Sequence, residues 1–129
     1  MTAMIGSEPL LVDSSAWLEY LTEDLNAAGF APYIEREAPV LMPTIVLYEV
    51  FKVLAREQGR TDADRFVSQA FRQILVPLDE GLALASARVS LEFRLPMADA
   101  IIYATALANQ ATLVTGDAIF RGLPGVLIP

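Results

Sequence analysis

The sequence predicts an α/β fold, a mostly parallel sheet covered by helices on both faces. Three observations predict it. Short apolar runs of strand length alternate with longer stretches of helical periodicity. Of the 129 residues, 54% are hydrophobic, enough to cover a sheet on both sides. Asp, Ser, Thr, Pro and Gly stand where helices should begin and end.

The elements follow in order. "LLV", Leu10 to Val12, reads as a buried strand, and Asp13-Ser14-Ser15 caps a helix whose apolar face carries Trp17, Leu18 and Leu21. A second helix is expected over Leu25 to Arg36. Val40 to Met42 reads as a strand, and Pro43 or Thr44 starts the helix "TIVLYEVFKVLARE", which Gly59 stops. "TDADRFVSQAFRQ" is amphipathic, with Thr61 as its expected cap. "ILVPLD" is a strand and "EGLALASARVSLEFRL" a helix, ended by Pro96, which suits the first position of the next, "LPMADAIIYATALANQ". "ATLVTGD" is a strand and "GVLIP" a short last one, with a helix expected between them. No repeat or linker interrupts the chain, so residues 1–129 read as a single domain.

Absences narrow the chemistry. There is no cysteine and no histidine. Thiolate and histidine metal sites, histidine-dependent nucleophiles and a histidine general base are therefore excluded. Catalysis would fall to carboxylates, hydroxyls, Arg, Lys52, backbone groups or a bound cofactor, and hard oxygen ligands point to Mg²⁺ or Mn²⁺. "MTAMIGSEP" has neither a basic start nor an apolar core of a signal peptide. The longest uncharged stretch, Ala100 to Gly116, is broken by Thr105, Asn109, Gln110, Thr112 and Thr115. It falls short of the about 20 apolar residues a span needs. No membrane association and a cytoplasmic location are the expectations.

In open α/β sheets ligands bind at the carboxyl ends of the strands. Asp13 follows the first strand directly, and Asp117 follows "TLVT" by one residue. Glu49 lies in the first turns of the helix after the second strand. Asp99 lies in the first turn of its helix, but that helix follows another helix, so chain order alone does not bring it to the same edge. Each acid also has a purely structural reading. Asp13 and Asp99 serve as helix caps, Asp117 as a turn former and Glu49 as the partner of Lys52 one turn on. A buried carboxylate without a partner is expensive, which sets Glu49 apart.

These residues carry a resemblance. "LLVDSSAWLEYL", "PTIVLYEVFKVL", "LPMADAIIYATAL" and "TLVTGDAIF", in this order over nearly the whole chain, resemble the PIN-domain nucleases, and among them the VapC-like toxins of prokaryotic toxin–antitoxin pairs. The resemblance implies a PIN-like three-layer α/β/α sandwich. It implies an acidic metal-binding and catalytic site on Asp13, Glu49, Asp99 and Asp117, and supporting polar positions at Ser14 and Thr115. It also implies hydrolysis of RNA phosphodiesters with Mg²⁺ or Mn²⁺, a small antitoxin partner and a homodimer.

Such chemistry suits these residues. Clustered carboxylates repel one another until cations sit between them. A divalent ion makes hydroxide available near neutral pH without a histidine. The net charge of −7 becomes −3 once four ligands are set aside, leaving 12 acids against 9 bases. Five of those bases, Lys52, Arg56, Arg60, Arg65 and Arg72, fall in one stretch. Glu49 and Arg56 are seven residues apart and share a helix face with Lys52, so Lys52 and Arg56 are candidate RNA contacts. Trp17, Leu21 and Phe30 suit either the core or an antitoxin groove.

Three rival readings remain. A non-catalytic module of the same fold would act through RNA or protein partners. A receiver-like phosphoacceptor needs a late strand-end lysine, whereas Lys52 is the only lysine and lies early. An aspartate-nucleophile phosphatase needs a second acid where Ser14-Ser15 follow Asp13.

Overall fold

A computed structural model describes residues 6–129; most of the N-terminal stretch read for a targeting signal lies outside them. The elements are β1 (Leu10–Val12), α1 (Ser14–Leu21), α2 (Ala27–Ile34), β2 (Leu41–Pro43), α3 (Thr44–Glu57), α4 (Arg60–Ala70), β3 (Ile74–Val76), α5 (Glu80–Phe93), α6 (Met97–Ala108), β4 (Thr112–Val114) and β5 (Val126–Leu127). The strands form one sheet in the order β3-β2-β1-β4-β5. Every pairing is parallel, with Leu11 opposite both Leu41 and Leu113.

Successive residues of a strand point to opposite faces. Leu10, Leu11 and Val12 are all fully buried, so both faces of the central strand are covered. Helices α1 to α4 pack one on another, and α5 packs on α6. Helix α6 is buried without a break from Ala100 to Ala106, which explains why its sequence is apolar on every side. Trp17 and Phe30 belong to the core: Trp17 meets the Phe66 ring edge-on at 5.7 Å between centroids. These two therefore line no outward groove.

Several expectations are corrected. Strand β2 begins at Leu41 rather than Val40 and includes Pro43, which pairs opposite Val76. Thr61 does not cap α4; Gly59 does, at φ +99°, and Arg60 is already helical. The same glycine closes α3, its N–H donating to the Leu54 carbonyl at 3.0 Å. Such a backbone angle costs a side-chain-bearing residue most, which is why one glycine can serve both ends. Pro96 is the N-cap of α6, not its first residue. Between β4 and β5 stands a single 3₁₀ turn, Ala118–Phe120, in place of a helix. Among the described residues no helix is long and apolar enough to cross a membrane.

Candidate active site

The strand order places a switch point beside β1. The chain leaves β1 for β2 and β3 on one side, then crosses to β4 and β5 on the other. A crevice opens where such connections diverge, at the carboxyl ends of the strands. Asp13 and Thr115, each one residue past its strand, sit there side by side, and the Asp13 N–H donates to the Val114 carbonyl at 3.1 Å.

Asp13 is only 3% exposed. Its Oδ1 accepts from the Ala16 N–H at 3.0 Å, capping α1, and from Ser15 Oγ at 2.7 Å. Its Oδ2 accepts from Thr115 Oγ1 at 2.5 Å. Burial pushes this carboxyl above its ordinary range. The hydrogen bonds from Thr115, Ala16 and Ser15 pull it back without cancelling the rise, and the charge of Asp117 adds to it.

The β4 turn is wired into the same group. Thr115 is fully buried, and its Oγ1 also accepts the Asp117 N–H at 2.9 Å. Ser15 Oγ accepts the Gly116 N–H at 3.1 Å. A Cβ at residue 116 would lie 2.8 Å from Glu19 Oε2 and 3.1 Å from the buried Phe30 ring, so a side chain there would displace the Glu19 carboxylate and press on that ring. Asp117 Oδ1 caps the 3₁₀ turn through the Ile119 N–H at 3.0 Å.

Glu49 comes from the second turn of α3. Its partner is Ser14, whose Oγ donates to Oε1 at 2.5 Å. The alternative ion pair with Lys52 does not form: among the described residues the ion pairs are Arg56–Glu57 and Arg65–Asp62. Asp99 lies in the first turn of α6 and accepts no hydrogen bond from a described residue. Its carboxyl is pushed up to about 6, first by burial and then by the charges of Asp117, Glu49 and Asp13 in turn. The charges of Asp117, Glu49 and Asp13 thus all act on Asp99, and among the described residues no lysine or arginine offsets them there.

The donor set is four carboxylates and neighbouring hydroxyls, the oxygen chemistry that Mg²⁺ or Mn²⁺ prefers. Among the described residues no three acids stand close enough to hold an ion as they are. Glu49 Oε2, Asp117 Oδ2 and both oxygens of Asp99 carry no hydrogen bond from described residues and remain available. The donor chemistry fits a hard divalent ion, which these side chains would have to draw closer together to hold.

Ser15 joins the site without having been singled out by its sequence context, as Ser14 and Thr115 were. Its signal is the doubled serine after Asp13. At a helix start, the residue two beyond the cap is well placed to reach back to it. Lys52 and Arg56 pair with none of the four site acids. Lys52 sits by Tyr48, and Arg56 pairs with Glu57 at 2.9 Å.

The family model for the PIN domain matches residues 10–126, and the chain belongs to that family. Similar solved structures include a toxin–antitoxin complex from Klebsiella pneumoniae, 24% identical with a TM-score of 0.76, covering 93% of this chain and 97% of that one. VapC20 from Mycobacterium tuberculosis, described as a sarcin-ricin loop cleaving toxin, is 19% identical with a TM-score of 0.73, covering 93% and 99%. VapBC2 from Rickettsia felis, bound to a DNA fragment from its promoter, is 13% identical with a TM-score of 0.71, covering 93% and 96%. At these identities the likeness is one of fold. No curated protein matches the chain.

Proposed function

We propose that this protein is a divalent-metal-dependent endoribonuclease, the toxin of a toxin–antitoxin pair. On this reading it is a single domain acting in the cytoplasm as a homodimer, with a small antitoxin as partner. The observation that carries the catalytic part is that the charges of Asp13, Glu49 and Asp117 all act on Asp99, with no cation among the described residues to offset them there. Each comes from a different element, and Asp99 rises to about 6 through burial and the charges of the other three. Four separate helix caps would not converge in this way. Membership of the PIN family and the toxins among the similar structures support the rest.

The four carboxylates are the proposed catalytic and metal-binding groups. Bound Mg²⁺ or Mn²⁺ would polarise the scissile phosphodiester and lower the pKa of a bound water. The chain's own residues supply the placement. Asp13 is fixed by three donors, Ser14 orients Glu49, and Thr115 holds the turn that carries Asp117. With a divalent ion held by the remaining carboxylate oxygens, RNA would approach with its phosphate rather than its bases toward them. Lys52 and Arg56, beside Glu49 on α3, offset the repulsion that an anionic protein presents to a polyanion.

The test is incubation of the partner-free protein with structured RNAs in Mg²⁺, Mn²⁺ or EDTA. Cleavage in metal, absence of cleavage in EDTA, and at least about a hundredfold loss in Asp99→Asn are expected. Cleavage that survives EDTA refutes the metal mechanism. An intact fold that cuts no RNA in either metal refutes the activity.

A further inference from the structure

The turn that carries Asp117 is hydrogen-bonded to Ser15 and Thr115, and at Gly116 it also lies against Glu19 and Phe30. Glu19 stands one helical turn beyond Ser15 on α1. The Asn26 amide Nδ2 donates to its Oε1 at 3.2 Å. Asn26 is the N-cap residue of α2, yet its side chain makes no capping bond. An asparagine there ordinarily gives its side-chain oxygen to a helix N–H. Here the side chain reaches back to α1 instead. The loop that returns it turns through Glu23 at φ +54°, a backbone that glutamate adopts at a cost.

One oxygen of Glu19 is thus held by Asn26, and the other takes the space that a Cβ at residue 116 would need, 2.8 Å away. A glutamate that only solvates α1 would require neither the Asn26 side chain nor the gap at Gly116. The charges acting on Asp99 are those of Asp117, Glu49 and Asp13, and the one acting on Asp13 is that of Asp117. Glu19 therefore lies against the turn without joining the charged group that the turn serves.

We infer that Glu19 is a positioning residue: its carboxylate is the stop on which the Gly116 turn rests, and its bulk sets how far Asp117 stands from the other three acids. The inference rests on the metal-site proposal and adds to it a residue that is not itself a ligand. Without the stop, the turn settles toward α1. With a methyl group at residue 116, turn and stop push each other apart. Either change moves Asp117. Among the described residues the acids must already draw together to hold an ion, so they have little displacement to spare. Groups that orient metal ligands in this way typically govern about ten- to a hundredfold in metal affinity.

Bulk and charge at Glu19 are separable, which supplies the test. Isothermal titration of the whole chain with Mn²⁺ alone reads the ion, and the Asp117 amide resonance, recorded in EDTA, reads the turn. Glu19→Ala is expected to weaken Mn²⁺ binding about tenfold and to move the Asp117 resonance. Glu19→Gln keeps the bulk without the charge and should leave both as in the wild type. Gly116→Ala should also cost about tenfold. Two independent losses would multiply to about a hundredfold, whereas the double variant should stay near tenfold, because both changes act at one contact. If Gly116→Ala fails to fold, the two Glu19 variants decide alone. Where the wild type takes up Mn²⁺, a Glu19→Ala variant that binds it equally well overturns the inference and leaves the metal reading intact. A Glu19→Gln variant as impaired as Glu19→Ala also overturns it, because charge rather than bulk is then at work. If the wild type takes up no Mn²⁺, the metal reading fails and the resonance decides: moved by Glu19→Ala but not by Glu19→Gln, the stop stands; unmoved by Glu19→Ala, it falls as well.

Discussion

Asp13 and Asp99 are two carboxylates of one acidic group, and the protein treats them differently. Asp13 is sealed at the end of β1 with three donors on it, so its charge is bound into the fold. Asp99 stands at the start of α6 with no donor among the described residues and the charges of three acids acting on it. Burial raises the pKa of both, but only Asp13 is compensated locally. A site of this kind has a structural side, which the fold needs whether or not a ligand is present, and a frustrated side, whose cost falls when a cation arrives. The two sides should respond oppositely to substitution.

The largest contrast should be in the response to metal. Mg²⁺ or Mn²⁺ at a hundredfold excess over Kd should stabilise the wild type by about 2.7 kcal/mol, and Asp99→Asn should lose most of that gain. Paired thermal melts with EDTA and with metal check this, and a wild type indifferent to metal breaks the comparison. In EDTA alone, Asp13→Ala should cost about 2 kcal/mol, because it removes a cap and leaves the Thr115 and Ser15 hydroxyls unpaired. Asp99→Asn in EDTA should instead raise the melting temperature, since it removes one charge from a repelling set. Equal destabilisation by both variants would erase the distinction between the two sides.

The pH dependence of the metal-free protein sharpens the point. Asp99 ionises near 6 when folded, against 3.8 as the reference value, so between these values the folded state holds more protons. Stability of the metal-free protein should therefore fall as pH rises through that window and be greater near pH 5 than near pH 7. Denaturant melts in EDTA should show the decline in the wild type and a shallower one in Asp99→Asn. The smallest effect is expected at Ser14→Ala, about 1 kcal/mol or less, because only one half-buried hydrogen bond is lost. Its metal affinity should fall more visibly as Glu49 loses its orientation, which isothermal titration would report.

Much of the fold was legible in the residues. "LLV", "ILV" and "TLV" are strands because they are short, branched and bounded by caps or turns, and Asp13 and Asp117 take their places from the strand ends. The element before Asp99 did not place it, being a helix whose direction the sequence leaves open. The strand after it carried the information. Helix α6 runs almost directly into β4, with the Ala111 N–H on the Ala106 carbonyl at 2.9 Å. A helix that ends where a parallel strand begins must start near the opposite edge of the sheet, where Asp99 lies. The wiring of Ser15 and the choice of Ser14 over Lys52 for Glu49 depend on side-chain directions across elements 35 to 101 residues apart, which periodicity does not encode. The start of α4 was misread because Thr61 looks like a cap, while a positive-φ glycine two residues earlier had already turned the chain.

The β4 turn also fixes where hydrogen atoms can go. The Gly116 amide points at the Ser15 oxygen and the Asp117 amide at the Thr115 oxygen, so each hydroxyl has an N–H directed at it from behind. Its own hydrogen is thereby turned forward, onto Asp13. Two peptide dipoles from the far end of the chain thus reach the Asp13 carboxylate through intermediaries, as a polarised relay with one preferred direction. A proton added to Asp13 would oppose both arms of that relay. The backbone at residues 116 and 117 accordingly acts as a remote electrostatic anchor, favouring the anionic form of a side chain about a hundred positions earlier in the sequence.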